Sequence, residues 1–324
     1  MYKDFCSNNC EASTDYSETV LRLQNSDSFS DTAYRLSYEH EERDWFANAQ
    51  IESTGADFRT DLGFGSFADH EKVVIGGGYN WYSENSWWNR IRVDGDWDIT
   101  HNDNNELLEK ETEVYFSVHG KRQSYFELGL LHRERVGLRH DPSVLTITNN
   151  TTLFLEDAAS IYFEYRPISS LYLSSYFSYG DQIDYDNDRL GTQFQFQPTL
   201  TWDIGKHLQL DLRHTYRKLD IQDDNLFIAN LTDLRFTYQL DQRQFLRLIA
   251  IYSDIERNQA LYPNNEVHMQ VKQLGTQLLY SYKLNPLTKF FVGYSDSAEQ
   301  NTSIHSLTKN EQSVFMKFSY AWLN

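Results

Sequence analysis

The chain has 324 residues, of which 40% are hydrophobic and 15% aromatic, and 47 acidic against 29 basic residues give it a formal net charge of −18. That balance argues against a nucleic-acid partner, because phosphate binding requires a basic face. The longest apolar stretch, Leu248–Tyr252, excludes a transmembrane helix, which needs about 20 apolar residues, but not a barrel, where only every second residue meets lipid.

Residues 1–15 are predicted to be an irregular segment. Met1–Cys10 lacks the apolar core of a secretory signal, so either the signal of a barrel precursor has been removed or the sequence is a fragment, and the fragment is favoured. Cys6 and Cys10 could pair or stay free in an oxidising compartment, and no second pair follows at zinc spacing. Residues 16–324 are predicted to form a barrel, with Tyr16–Leu23 as a further candidate strand.

Period-two alternation then recurs along the chain. Early on, the apolar residues Trp87, Ile91, Val93, Trp97 and Ile99 alternate with the charged residues Arg90, Arg92, Asp94, Asp96 and Asp98. In the middle, Phe194, Phe196, Leu200, Trp202 and Ile204 alternate with glutamines and threonines, and Leu208, Leu210, Leu212 and Tyr216 alternate with polar residues that include Arg213 and Arg217. Near the end, Leu274, Leu278, Tyr280 and Tyr282 alternate with Gly275, Gln277 and Ser281.

The connections between these segments alternate between short and long. Short turns are predicted at His119–Gln123, Pro167–Ser169, Gly205–Lys206, Asp241–Gln242 and Leu284–Pro286, and long polar loops at His101–Leu107, His140–Asn149, Gly180–Leu190, Leu219–Ala229, Glu256–His268 and Asp296–Asn310. This rhythm and the length of the strands predict an all-β, antiparallel transmembrane β-barrel of roughly 16 strands in the bacterial outer membrane. Short turns face the periplasm, and longer acidic loops face outward. The alternation alone is also compatible with a soluble sandwich.

Two segments depart from this scheme, and one supports it. Pro198 removes a ladder donor inside a good strand and predicts a bulge or an edge. Phe245–Tyr252 is apolar on both faces apart from Arg247, which indicates packing against a plug or a soluble core. The closing alternation of Val314, Met316, Phe318, Tyr320 and Trp322 resembles the signal read by the barrel-insertion machinery.

Several segments resemble a family of bacterial outer-membrane proteins. They are Thr32–Tyr38, Phe58–Phe64, Gly76–Tyr82, Asp241–Glu256, Pro286–Asp296 and Phe315–Trp322. Proteins of that family carry a signal peptide, a family-9-type carbohydrate-binding module and a C-terminal domain of unknown function that is a predicted barrel. The resemblance runs from about Tyr16 to the end and implies a barrel associated with carbohydrate, with no catalytic residues to carry over.

Three groups of residues are candidate sites. Arg90, Arg92, Asp94, Asp96, Asp98, Arg213 and Arg217 are predicted to line the lumen, either as a porin-like constriction or as a ladder of salt bridges. Tyr79, Trp81, Trp87 and Trp88 would stack on sugars or form the aromatic girdle of a barrel. Asp184, Asp186 and Asp188 alternate in a loop and could surround Ca²⁺, although the glycine and distant glutamate of an EF-hand are missing.

The favoured function is a passive pore or a surface scaffold associated with carbohydrate binding or uptake. The predicted partners are outer-membrane lipid and lipopolysaccharide, the barrel-insertion machinery and glycans, and the one predicted ligand ion is Ca²⁺ in an external loop. The alternatives are a barrel-linked carbohydrate-active hydrolase and a soluble secreted β-sandwich binding protein. Whether the chain is an enzyme stays open, because no nucleophile or metal motif is recognisable among its ten histidines.

Overall fold

The structure, a computed structural model, describes residues 31–56, 58, 68–141, 144, 146–262, 267–285 and 287–320. In these residues fifteen strands form one antiparallel sheet in which each strand pairs with its neighbours in chain order. The strands are β1 (Ala33–Glu41), β2 (Trp45–Thr54), β3 (His70–Tyr82), β4 (Trp88–His101), β5 (Leu107–Gly120), β6 (Tyr125–Val136), β7 (Leu153–Ile168), β8 (Leu171–Asp184), β9 (Arg189–Ile204), β10 (Leu208–Ile221), β11 (Asp224–Gln239), β12 (Gln244–Arg257), β13 (Gln270–Asn285), β14 (Thr288–Gln300) and β15 (Thr308–Ser319).

The helical content is limited to two 3₁₀ turns within the described ranges, Tyr185–Asn187 and Gln259–Leu261. No helix in that part of the chain could cross a membrane. The strands are 9 to 16 residues long, as the long alternating segments predict. The predicted irregular segment 1–15, with Cys6 and Cys10, and the candidate strand Tyr16–Leu23 lie outside the described residues.

The two faces of the sheet differ in chemistry and in burial. The face with the alternating apolar side chains, here called the outer face, is open: Ile75, Val114 and Leu130 are 57%, 45% and 52% exposed. The opposite face, here called the lumen face, buries polar groups against one another, with Asp98 3% and Glu156 0% exposed. A soluble β-protein buries its apolar face instead, so this distribution is that of a transmembrane barrel wall.

The soluble sandwich is therefore wrong. Trp97, Phe194 and Leu210, which such a fold would hide in a dry core, are all partly exposed on the outer face. Among the described residues the buried apolar side chains are few, and the one cluster that they form, Leu219, Ile221 and Leu226, lies at the long-loop end of β10 and β11. Nothing in the middle of the sheet resembles a sandwich core.

Successive connections lie at alternate ends of the sheet, and the end that carries the two longest described connections, 137–152 and 258–269, is here called the long-loop end and the other the short-turn end. β1 and β15 both begin at the long-loop end and finish at the short-turn end, so they run in the same direction. In the described part of the chain each of them pairs with one neighbour, β2 and β14 respectively. Antiparallel closure between these two edges therefore requires an odd number of further strands.

One predicted loop is wrong. Leu219–Ala229 was expected to be long and polar, but β10 continues to Ile221 and β11 begins at Asp224, so the two strands join in a tight turn. Gln222 occupies the left-handed region there, with φ of 57°, which the turn requires. The strands extend beyond the apolar band of the outer face, and the polar run Gln222–Asn225 at their junction resembles a loop in the sequence. The predicted loop Gly180–Leu190 is also shorter, because β8 continues to Asp184.

Pro198 interrupts pairing on one side of β9 only. It pairs with Ser175 of β8, whereas the ladder with β10 skips from Arg213–Thr199 to Tyr216–Phe196. The register is the same on both sides of the gap, and β9 pairs with β8 and with β10, so the expected bulge or edge is wrong. Pro198 causes only a local loss of ladder pairing. This follows from the missing N–H of proline.

Candidate functional site

The lumen face is the candidate functional site, because there the barrel holds its polar groups. All the predicted pore-lining residues lie on it: Arg90, Arg92, Asp94, Asp96 and Asp98 on β4, and Arg213 and Arg217 on β10. Their registers place them opposite polar residues, for example Asp96 opposite Glu113 and Arg213 opposite Asp233. The β4 and β10 groups belong to separate parts of the wall.

The β4 row is largely paired internally. The Arg92 guanidinium donates to both carboxylate oxygens of Asp94, at 2.8 and 2.9 Å. Lys72 Nζ lies 3.1 Å from Asp98 Oδ2, and Arg90 Nη2 lies 2.6 Å from His119 Nε2. The β4 row therefore forms a salt-bridge ladder, one of its two interpretations, and the porin-like constriction stays a prediction.

The most enclosed polar group on this face was not predicted. Arg133 on β6 donates from Nε to Glu156 Oε2 on β7 at 2.9 Å and from Nη1 to Glu111 Oε2 on β5 at 3.2 Å. The other oxygen of Glu156 accepts the backbone N–H of Ile183 at 3.1 Å. These side chains form one cross-strand row, and the sequence contains no signal for it because strand register cannot be read from alternation alone.

Toward the short-turn end, the lumen carboxylates accept hydrogen bonds from tyrosine hydroxyls instead of pairing with arginine or lysine. Tyr162 and Tyr172 both donate to Glu164 Oε2, at 3.0 and 2.8 Å, and Tyr125 donates to Glu127. The lumen face of β4–β7 is therefore dominated by carboxylates, most of them held by a neighbour. We call it the acidic wall, and its acids are Asp94, Asp96, Asp98, Glu109, Glu111, Glu113, Glu127, Glu156 and Glu164.

The lumen face of β10–β12 carries arginines instead, and we call it the basic wall. Its cations are Arg213, Arg217, Arg235, Arg247 and Arg257. Arg235 donates to both oxygens of Asp233, at 3.1 and 2.9 Å, while the two side chains remain partly exposed. Arg217 donates to the amide oxygen of Gln193 and lies over the Phe227 ring, so its contacts are neutral.

Strand β9 lies between these regions and presents neutral polar groups. Gln193, Gln195, Gln197, Thr199 and Thr201 alternate with the outer-face residues Phe194 and Phe196. Gln193 is already used by Arg217, and Thr201 donates to Asp211 at 2.8 Å. The remaining amides and hydroxyls offer both donors and acceptors to a neutral solute.

The four candidate sugar-stacking aromatics do not converge on the lumen. Tyr79 and Trp81 lie on the outer face at the short-turn end of β3, with ring centroids 4.8 Å apart. Trp87 is 72% exposed in the following turn, and Trp88 begins β4. Trp45 pairs with Tyr79 across the strands. This placement favours the aromatic girdle at the membrane boundary.

The three alternating aspartates of the predicted Ca²⁺ loop are held separately. Asp184 accepts from Asn187 and Arg189, both at 2.8 Å, whereas Asp188 accepts the backbone N–H of Leu138 at 3.0 Å. Asp186 lies in the 3₁₀ turn between them. Within the described ranges no three His, Cys, Asp or Glu side chains are arranged to hold a metal ion. The hydrogen bonds of Asp184 and Asp188 connect parts of the loops to one another.

Another loop carboxylate has a clearer structural role. Glu106 accepts the backbone N–H groups of Ile147 and Thr148, at 2.9 and 3.0 Å, and the side chain of Asn102 at 2.8 Å. These bonds lower the pKa of Glu106 to about 2, with the backbone bonds as the main cause. The carboxylate joins the loop after β4 to the loop after β6 and orders the mouth above the acidic wall.

Comparison with known proteins adds a likeness of architecture. No family model matches the chain, and no curated relative does. It is similar to a mutant of the ferric enterobactin receptor of Pseudomonas aeruginosa, at 12% identity and a TM-score of 0.48, over 83% of this chain and 51% of the receptor. It is also similar to OmpT, an outer-membrane protein of Vibrio cholerae, at 10% identity and a TM-score of 0.35, over 90% of this chain and 100% of that one.

A third similar structure is the NanC porin, at 11% identity and a TM-score of 0.29, over 77% of this chain and 99% of that one. None of these TM-scores reaches 0.5, so the assignment of the fold rests on the continuous antiparallel sheet and its inverted faces. An exposed apolar band with a polar interior is the architecture of an outer-membrane β-barrel. The chain is therefore an outer-membrane β-barrel protein.

Proposed function

We propose that the protein is a passive pore for small polar solutes. The observation that carries this proposal is the lumen face, which combines the acidic wall, the amide row of β9 and the basic wall along one sheet. Opposite charges on different parts of a lumen orient dipolar solutes during passage.

Carbohydrates are the solute class that we propose, as the family resemblance suggests. The support is the row of Gln193, Gln195 and Gln197, together with tyrosine hydroxyls such as Tyr162 and Tyr172. Amides and hydroxyls can both donate to and accept from sugar hydroxyls. Stacking by Tyr79, Trp81, Trp87 and Trp88 is not part of this proposal, because their positions favour the girdle.

The outer face supports a proposal about the surrounding lipid. At the long-loop end its apolar residues give way to exposed charged pairs: Lys110 with Glu134 at 3.3 Å, and His132 with Asp157 at 2.7 Å. Charges at this height suit the headgroup layer of lipopolysaccharide. The exposed residues Val314, Met316 and Phe318 of β15 are similarly suited to recognition by the barrel-insertion machinery.

Reconstitution in planar bilayers tests the pore directly. We expect stepwise conductance in KCl, and swelling of proteoliposomes in small neutral sugars but not in large dextrans. Heat-denatured protein and empty vesicles are the controls. A correctly folded and inserted protein that neither conducts ions nor admits small sugars would overturn the proposal.

A further inference from the structure

One area of the basic wall is apolar, which is unusual for a lumen. Leu231 on β11 and Ile251 on β12 are 44% and 42% exposed, and they share the lumen face with Asp233 and Arg235. Ile249 lies two residues before Ile251 on the same face. Gly275 of β13 pairs with Ile251, and a side-chain carbon added there would meet no atom within 4 Å. We call these four residues the lumen apolar patch.

Arginines border the patch, and two of them have no acidic partner among the described residues. In that part of the chain Arg247 donates only to the Thr237 hydroxyl, at 3.3 Å, and lies over the Phe245 ring at 5.1 Å. Arg213 is exposed, and its register partner Asp233 is already bound by Arg235. Within the described part of the chain, the Arg213 guanidinium makes no hydrogen bond or ion pair. These cations are available to a solute.

We propose that the lumen apolar patch with Arg213 and Arg247 binds small organic carboxylates that have an apolar body. Guanidinium groups recognise carboxylates with two parallel hydrogen bonds, and exposed Leu231 and Ile251 offer a surface for an aliphatic or aromatic body. The open space above Gly275 lets that body approach the wall. The acidic wall has the opposite charge and would repel such a ligand.

The position of the patch suits a solute in transit. Ile249 and Ile251 lie midway along β12, and their neighbours Leu248 and Ala250 belong to the apolar band of the outer face. The site therefore lies at about the middle of the membrane-spanning wall. The inference rests on the proposed function in one respect, since the ligand must enter the lumen from water.

Binding in lipid nanodiscs tests the site without requiring conductance. Benzoate is the probe, and saturation-transfer NMR is the readout. Acetate lacks the apolar body, benzamide lacks the charge, and benzylamine has the opposite charge. We expect saturable binding of benzoate, at least about tenfold tighter than that of any of the other three, because both halves of the site contribute. Equal binding of benzoate and benzamide would overturn the proposal.

Variants assign the binding to the patch. Arg213→Gln with Arg247→Gln is expected to weaken benzoate binding by about tenfold or more, and Ile251→Asn to weaken it less. Arg43→Gln removes the same charge in an exposed turn after β1 and should leave benzoate binding unchanged. Binding that survives in the double arginine variant would contradict the site.

The patch could instead be covered by protein. The rate at which a water-soluble thiol reagent labels a Leu231→Cys variant, with Cys6→Ser and Cys10→Ser, measures whether the patch is open to water. Rapid labelling supports an open site, whereas protection of Cys at this position together with absent benzoate binding indicates a plug and overturns the ligand proposal. A channel that conducts without binding benzoate refutes the site alone. Binding without conductance refutes the pore alone.

Discussion

The acidic and basic walls use charge in different ways. On the acidic wall, Arg133 is held between Glu111 and Glu156, and Glu156 is fully buried. On the basic wall, the side chain of Arg235 is 52% exposed despite its pair with Asp233. Arg213 makes no hydrogen bond or ion pair with any described residue. One part of the sheet therefore uses its charges for structure, and the other leaves cations available to solutes.

This contrast shows why net charge alone does not predict what a lumen binds. The chain carries an excess of acids, yet many of the lumen carboxylates are paired with an arginine or a lysine. Others accept a tyrosine hydroxyl and keep their charge. On the basic wall the arginines outnumber the carboxylates, with Arg213, Arg217, Arg235, Arg247 and Arg257 against Asp211 and Asp233. A solute would therefore meet a lumen that is less acidic than the composition indicates.

The largest expected effect is on the buried pair. Glu156→Ala leaves Arg133 with one carboxylate and the Ile183 N–H without an acceptor, so we expect the free energy of unfolding to fall by about 3 kcal/mol. Urea unfolding in lipid vesicles, followed by tryptophan fluorescence, measures this. Glu134→Ala, which breaks the exposed outer-face pair with Lys110, is the matched control and should change stability by about 0.5 kcal/mol or less. Equal losses of unfolding free energy in the two variants would contradict the structural role of the buried pair on the acidic wall.

A smaller change in the free energy of unfolding is expected from a substitution in β9, the strand between the two walls. Pro198→Val restores a backbone N–H where the ladder with β10 is interrupted, and one recovered hydrogen bond should raise the free energy of unfolding by about 1 kcal/mol. The same urea experiment measures it. Leu200→Val, on the same face where the ladder is intact, controls for the change of side chain. No gain at Pro198 would mean that the gap has another cause.

Ion selectivity compares the walls directly. The combined change Asp94→Asn, Asp96→Asn and Asp98→Asn should lower the preference for cations by about twofold, whereas Arg213→Gln with Arg247→Gln should raise it by about twofold. Reversal potentials in a KCl gradient report both. The two shifts must have opposite signs. Shifts of the same sign would show that the walls do not act as separate regions.

The smallest expected effect is local and depends on pH. Because the folded pKa of Glu106 is lowered to about 2, its contribution to loop order is complete above the unfolded pKa of about 4.3 and is lost as pH falls toward 2. Amide exchange of Ile147 and Thr148 should therefore become less protected over that range. Glu106→Gln should already lack that protection at neutral pH. A protection that is independent of pH and of this substitution would refute the role.

Alternation was enough to predict which residues share the lumen face. The rows through Asp94 and Arg213 and the outward position of Phe194 follow from a period of two, which fixes which residues share a face. The choice of a transmembrane barrel over a soluble sandwich also needed the length of the strands and the rhythm of the turns and loops. These features depend on local sequence.

Other features depend on which strand residues face each other. The row of Glu111, Arg133 and Glu156 follows from register, which alternation does not specify. The different partners of Asp184 and Asp188 depend on how the loops meet. The loop expected at Leu219–Ala229 is wrong because the polar run Gln222–Asn225 resembles loop sequence, although apolar residues flank it. Only Ile249 and Ile251 of the lumen apolar patch lie in the two-sided apolar segment Phe245–Tyr252, whose pattern predicted packing against a plug or a soluble core.

The central claim is that the apolar face meets lipid while the polar face meets water. Nitroxide labels at Leu130 and Leu131, in a Cys6→Ser and Cys10→Ser background, test it with adjacent residues of β6 that face opposite ways. In lipid vesicles the label at position 130 should be relaxed by oxygen and the label at position 131 by a water-soluble nickel chelate. Equal access at both positions, or the reverse order, would contradict the account.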